Sequence, residues 1–394
     1  MLFNSLAFLF FFVVVFSLYW TLQKSLRLQN ILLLVASYFF YGYWDPRFLF
    51  LLAFSTFLDY YTGLRIHNAN SKPGKKKWII ISLTINLGFL IAFKYYNFFV
   101  DSFATLLLSF GHNPHLPILQ VVLPVGISFY TFHGISYIMD IYYGRVTPTK
   151  NIIEYSTFVA FFPLLVAGPI ERANHLLPQI QQPRTFNYDD ATEGLRQVLW
   201  GLFKKVVVAD LCGMIADSIF KNYGTSSGST LVIAAFFFAM QIYGDFSGYS
   251  DIALGVSRMM GFRLIRNFAY PYFSRDIAEF WRRWHISLSS WFRDYVYIPL
   301  GGSRGGTWMG VRNVFIIFLL SGFWHGANWT FIVWVKRCFF PSVTSYENKP
   351  DQPGYCRPRK TPAVGQGAVQ HARYVCPCYF CMDIFPVYQH DNGD

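Results

Sequence analysis

Hydrophobic positions along this chain come in blocks of the length a membrane helix needs. The blocks run over residues 8–19, 31–43, 48–58, 78–93, 123–141, 198–219, 231–242 and 313–335. A crossing takes about 20 mostly apolar residues, so each block predicts a span. The first block lacks a basic leading region and exceeds a signal-peptide core, which predicts an uncleaved first span. Residues 158–172 (FVAFFPLLVAGPIER) are different: Pro163 and Pro169 break the segment, predicting entry into the membrane and return rather than a full crossing.

Composition supports a membrane protein. Hydrophobic residues make up 54% and charged residues only 14%, against roughly 25% charged in ordinary globular domains. The net charge of +12 reports topology and excludes a nucleic-acid partner, because the basic residues sit between spans instead of forming one face. Lys24 and Arg27 follow the first span, and Lys72, Lys75, Lys76 and Lys77 follow the third. Only a short turn, residues 44–46, separates spans two and three. Both basic loops therefore fall on one side, the cytoplasmic one, with the N-terminus outside. The outer loop at 101–117 contains no lysine or arginine. With 158–172 returning, Arg258, Arg263, Arg266, Arg275, Arg282, Arg283, Arg293, Arg304 and Arg312 are also cytoplasmic. An arginine set without lysine suits either anionic lipid headgroups or a phosphorylated donor.

Several polar groups interrupt the apolar blocks. His133 and Asp140, seven residues apart, share a helical face and read as a satisfied pair or as cavity lining. Residues 244–262 (GDFSGYSDIALGVSRMMGF) carry glycines and serines suited to tight packing or a broken helix. Asp245 and Asp251 are expected to line an enclosed cavity or to pair with arginine. Most of the chemistry is concentrated in residues 281–306 (WRRWHISLSSWFRDYVYIPLGGSRGG) and in FWHGANW at 323–329. In a helix over 313–335, His325 stands about 18 Å from the start, near mid-bilayer. An ionisable group there marks a functional site, and imidazole is suited to general-base work.

After Val335 the composition changes. Five of the six cysteines, Cys338, Cys356, Cys376, Cys378 and Cys381, fall in a proline-rich tail. CPCYFC at 376–381 lacks a paired C-x-x-C at zinc spacing, so no metal site is assigned. We divide the chain into a membrane domain over 1–335, C-terminally incomplete, and an atypical tail over 336–394, disordered or arising from a shifted reading frame.

These residues resemble the membrane-bound O-acyltransferase family, in its bacterial branch of alginate O-acetylation proteins. The resemblance rests on LPVGISFYTF (123–132), FFPLLVAGPIER (161–172), FSGYSDIALG (246–255), NFAYPYFSRDIAEFWRRWHISLSSWFRDYVYIPLGG (267–302) and FWHGANW. It implies an all-α polytopic fold with re-entrant helices around a central tunnel, in a bacterial inner membrane. It also implies His325 as the essential catalytic residue and His285 as the second signature residue. The implied donor substrate is cytoplasmic acetyl-CoA, with no bound cofactor. The implied acceptor is an exported polysaccharide such as alginate, and a periplasmic acetyltransferase is the expected partner. Relatives continue with further helices where this chain has its tail.

On that basis His325 either deprotonates the attacking hydroxyl or carries the acetyl group covalently. His285 orients the acceptor or hydrogen-bonds the oxyanion. Trp281, Trp284, Arg282, Arg283 and Asp245 are candidate substrate contacts, and Trp281, Trp284 and Trp291 either wall the passage or anchor at the interface. The alternatives are D-alanyl export to teichoic acid, a transporter (against which stands the lack of an inverted hydropathy repeat), and a non-enzymatic scaffold.

Overall fold

A computed structural model describes residues 1–112, 123–166 and 168–331, and every regular element among them is helical. The tail at 336–394 with its five cysteines, the last part of the predicted span at 332–335, and residues 113–117 of the predicted outer loop lie outside the described residues.

The helices are α1 (Leu6–Thr21), α2 (Leu26–Gly42), α3 (Leu49–Asn68), α4 (Lys72–Leu90), α5 (Tyr96–Ser109), α6 (Ile127–Tyr142), α7 (Ile152–Ala160), α8 (Phe162–Leu165), α9 (Ala173–Gln181) and α10 (Tyr188–Leu202). They continue with α11 (Asp210–Lys221), α12 (Gly228–Met259), α13 (Ile277–Arg283), α14 (Ile286–Phe292) and α15 (Thr307–His325). Starts follow side-chain capping: Ser5, Ser25 and Ser71 accept from the backbone N–H of Phe8, Leu28 and Gly74, each satisfying a donor the first turn leaves unpaired.

Among the described residues, three helical runs are long and apolar enough to cross a membrane: Lys72–Ser109, Gly228–Met259 and Thr307–His325. The first joins α4 to α5 through a π-helical turn, Ile91–Tyr95. The loop expected from Asp101 therefore begins only after Ser109, because Phe103–Phe110 continues the apolar pattern. The predicted span at 123–141 starts later than expected, at Ile127. Gly126 has φ +77°, and a Cβ there would meet the Leu165 carbonyl oxygen. The segment at 158–172 is broken as expected: α7 ends at Ala160 and α8 is only four residues long. Its break falls at Phe161 (φ −54°, ψ 110°), ahead of the prolines expected to cause it, and Pro163 sits harmlessly in the first turn of α8.

Packing separates the chain into two units, Met1–Leu202 with Tyr249–Ile265, and Phe203–Gly248 with Arg266 onward. In the first, α3 packs on α4 and α6, and α2 packs on α7. His133 and Asp140 are both buried, with separate partners: His133 Nε2 accepts from the Glu171 N–H at 3.2 Å and Asp140 from Arg145 at 3.3 Å. The segment predicted as tightly packed or broken, 244–262, runs without a break to Met259 as the second half of the 32-residue helix α12. Tight packing is the outcome, because a Cβ on Gly255 would lie 2.4 Å from the Gly194 carbonyl oxygen and one on Gly194 would lie 2.7 Å from that of Gly255. Gly255→Ala should force α10 and α12 apart at a cost of about 1–3 kcal/mol. The check is a lower unfolding temperature for the detergent-extracted protein.

The second unit is built on an aromatic cluster. Phe238 and Ala239 of α12 pack with Ala216, Ile277, Phe280 and Trp284, and Tyr243, Phe268 and Tyr272 close around them. The Tyr272 hydroxyl donates to the Ala239 carbonyl at 2.8 Å, which ties the segment before α13 to α12.

Candidate active site

The site grows from the turn between α13 and α14. Asp276 caps α13 by accepting from the Glu279 N–H. The helix ends at Trp284, whose ring stacks on Phe280 with centroids 5.5 Å apart and meets Phe268 edge-on at 5.1 Å. His285 then takes a left-handed conformation, φ 43° and ψ 56°. For a residue with a β-carbon this costs about 1–2 kcal/mol, so the surroundings must impose it. Asn267 does much of this: its carbonyl accepts from the Ile286 N–H at 2.8 Å, and its buried side chain accepts from the Ser287 hydroxyl at 2.6 Å. The Ala269 N–H reaches back to the Arg283 carbonyl at 3.0 Å. The sequence did not single out Asn267. A lone amide ahead of an aromatic run is its only signal.

The imposed turn buries the His285 ring, which is 3% exposed, against Phe246 at 4.7 Å and Trp324 at 5.8 Å. Neither ring nitrogen has a hydrogen-bond partner. A buried polar group left this way costs about 1–3 kcal/mol. Burial holds the His285 imidazole well below its ordinary pKa, with the nearby His325 acting in the same direction. It is therefore neutral at physiological pH, with one N–H to donate and one nitrogen to accept.

His325 arrives at the C-terminal end of α15. The structure corrects the expectation that it stands inside a helix over 313–335, for it is the last residue of α15. Gly326 is extended (φ −172°, ψ 154°), and a Cβ there would strike the Phe331 ring. The Asn328 side chain then accepts from the Thr330 N–H at 2.9 Å, as at the start of a new helical turn. The His325 ring packs on Trp324 at 4.9 Å, so Trp324 touches both histidines.

His285 and His325 line one cavity of about 620 Å³ together with Trp281, Trp284 and Arg282. This lies within the range of small-molecule sites, about 300–1,000 Å³. Arg282 is exposed and makes no ion pair among the described residues. Two predicted contacts lie elsewhere. Arg283 pairs with Glu279, which also binds Arg275 at 3.0 Å. Asp245 pairs with Lys205 at 2.8 Å, a lysine rather than the expected arginine. Asp251 accepts from Gln197 at 3.1 Å. Trp284 and Trp291 are buried in the protein, at 8% and 5% exposure, and so are not interfacial anchors.

A buried histidine held in a left-handed turn and a second histidine lining the same aromatic cavity, in a helical membrane protein, fit acyl-transfer chemistry. The chain belongs to the membrane-bound O-acyltransferase family, whose model matches residues 148–382. It is 46% identical to the probable alginate O-acetylase AlgI of Pseudomonas aeruginosa over 335 residues, covering 85% of this chain and 64% of that protein. It is 37% identical to the peptidoglycan O-acetyltransferase of Helicobacter pylori, covering 85% and 68%, and 31% identical to the teichoic acid D-alanyltransferase of Bacillus subtilis, covering 56% and 58%. The chain thus spans about two thirds of the length of the first two relatives.

Proposed function

We propose that this protein is a multi-pass O-acyltransferase of a bacterial inner membrane. It takes an acetyl group from cytoplasmic acetyl-CoA and passes it on for O-acetylation of an exported polysaccharide of the alginate type, with a periplasmic acetyltransferase completing the transfer. The observation that carries this reading is the shared cavity, in which His285 keeps two unpartnered ring nitrogens beside His325. In the reaction the acceptor hydroxyl oxygen attacks the thioester carbonyl while His325 takes its proton. A hydrogen bond from His285 stabilises the oxyanion. As the carbon–sulfur bond breaks, the proton on His325 goes to the departing thiolate. Arg282, which lines the same cavity, meets the phosphates of the donor in this reading.

The full chain in proteoliposomes tests this with two donors, labelled acetyl-CoA and a D-alanyl carrier protein. Consumption of acetyl-CoA with release of free thiol supports the proposal. Consumption of the aminoacyl donor alone moves the assignment to D-alanyl transfer, and transport without thioester loss overturns the enzymatic reading.

A further inference from the structure

A second cavity, of about 340 Å³, lies in the first unit where the loop after α9 meets the end of α12, and it shares no lining residue with the histidine cavity. Three guanidinium groups, Arg184, Arg258 and Arg263, line it against one carboxylate, Asp190. Asp190 is taken up by two of them, pairing with Arg258 at 2.9 Å and Arg263 at 3.5 Å.

Arg184 is the anomaly. It is 5% exposed, yet its terminal nitrogens meet only neutral oxygens, the shortest contact being Asn30 Oδ1 at 2.6 Å. Its guanidinium lies over the Phe262 ring at 4.9 Å and the Tyr19 ring at 5.6 Å. Its Nε has no hydrogen-bond partner, and neither does the buried indole nitrogen of Trp20, which lines the same cavity. A buried cation without a counter-ion is costly to maintain. Two unsatisfied donors beside an excess of positive charge ask for an anion that offers several oxygens at once. A phosphoryl group does so, and guanidinium forks match its geometry.

We propose that this cavity binds a phosphate ester, with Arg184 and Trp20 donating to its oxygens and the mostly exposed Arg263 closing over it. Two sources share this chemistry, an anionic phospholipid headgroup and a water-soluble phosphate.

The test uses the purified full chain. Calorimetric titration with inorganic pyrophosphate reports the soluble source, and retention of phosphatidylglycerol over phosphatidylcholine in nanodiscs, read by native mass spectrometry, reports the lipid source. Arg263→Gln, at an exposed position that leaves the fold intact, should weaken whichever binding is found by about tenfold, and Arg282→Gln in the histidine cavity should leave it unchanged. Saturable pyrophosphate binding with this pattern assigns a soluble ligand, and phosphatidylglycerol selectivity with it assigns a lipid. The proposal is overturned if neither probe binds, if Arg263→Gln binds as tightly as the parent, or if Arg282→Gln alone abolishes binding.

Discussion

Replacing His325 by alanine should reduce acetyl transfer by at least about 100-fold, the lower end of what a positioned general base contributes, while the protein's abundance in the membrane stays unchanged. The second half of that expectation comes from where the residue stands. His325 closes α15 instead of lying in its interior, and it is only partly buried. Its backbone duties are small, because the helix is ended by Gly326 and the next turn is capped by Asn328. Alanine is the best helix former and is tolerated there. The measurement is acetyl content of the exported polysaccharide in cells whose own copy has been deleted, alongside immunoblotting of the membrane fraction. Retained acetylation would remove His325 from the chemistry and leave the cavity without its base.

How far the sequence foretold this site depends on the kind of signal each residue carries. Helices α1, α2 and α12 follow directly from their apolar blocks, since burial in lipid or protein leaves a composition that can be read without a structure. Their extents are another matter. The π-helical turns at Ile91–Tyr95 and Phe203–Ala209 let neighbouring helices run on into one another, and no residue pattern announces such a turn. The end of α15 was legible but outweighed. Glycine after His325 and asparagine two residues later are ordinary stop and start signals, yet the apolar residues beyond them favoured a continuous span. The pairing of Arg283 was likewise visible, for Glu279 stands four residues before it and four after Arg275, the spacing that brings charges together on a helix. Asp245 and Lys205 are separated by forty residues, and no local rule joins them. The left-handed turn at His285 could not be foreseen at all, because histidine has no preference strong enough to predict it.

That turn supports the second large expectation, that His285→Gly lowers kcat by about 100- to 1,000-fold, the range lost when an oxyanion donor is removed, with KM for the acyl donor little changed. Stability should respond differently. The substitution loses ring packing against Phe246 and Trp324. In return it relieves a positive φ that glycine adopts without cost and removes two buried nitrogens that bond to nothing. These contributions oppose each other at about 1–3 kcal/mol apiece, so the unfolding temperature should move little while turnover collapses. A purely structural histidine would show the reverse, with activity falling only as far as folded protein falls. His285→Asn sharpens the comparison, since asparagine tolerates the left-handed region and keeps an N–H donor. It should recover part of kcat if donation to the oxyanion is the role, and none if only the ring's shape matters. Undiminished kcat in His285→Gly would show that the strain and the orphan nitrogens at this turn serve something other than acyl transfer.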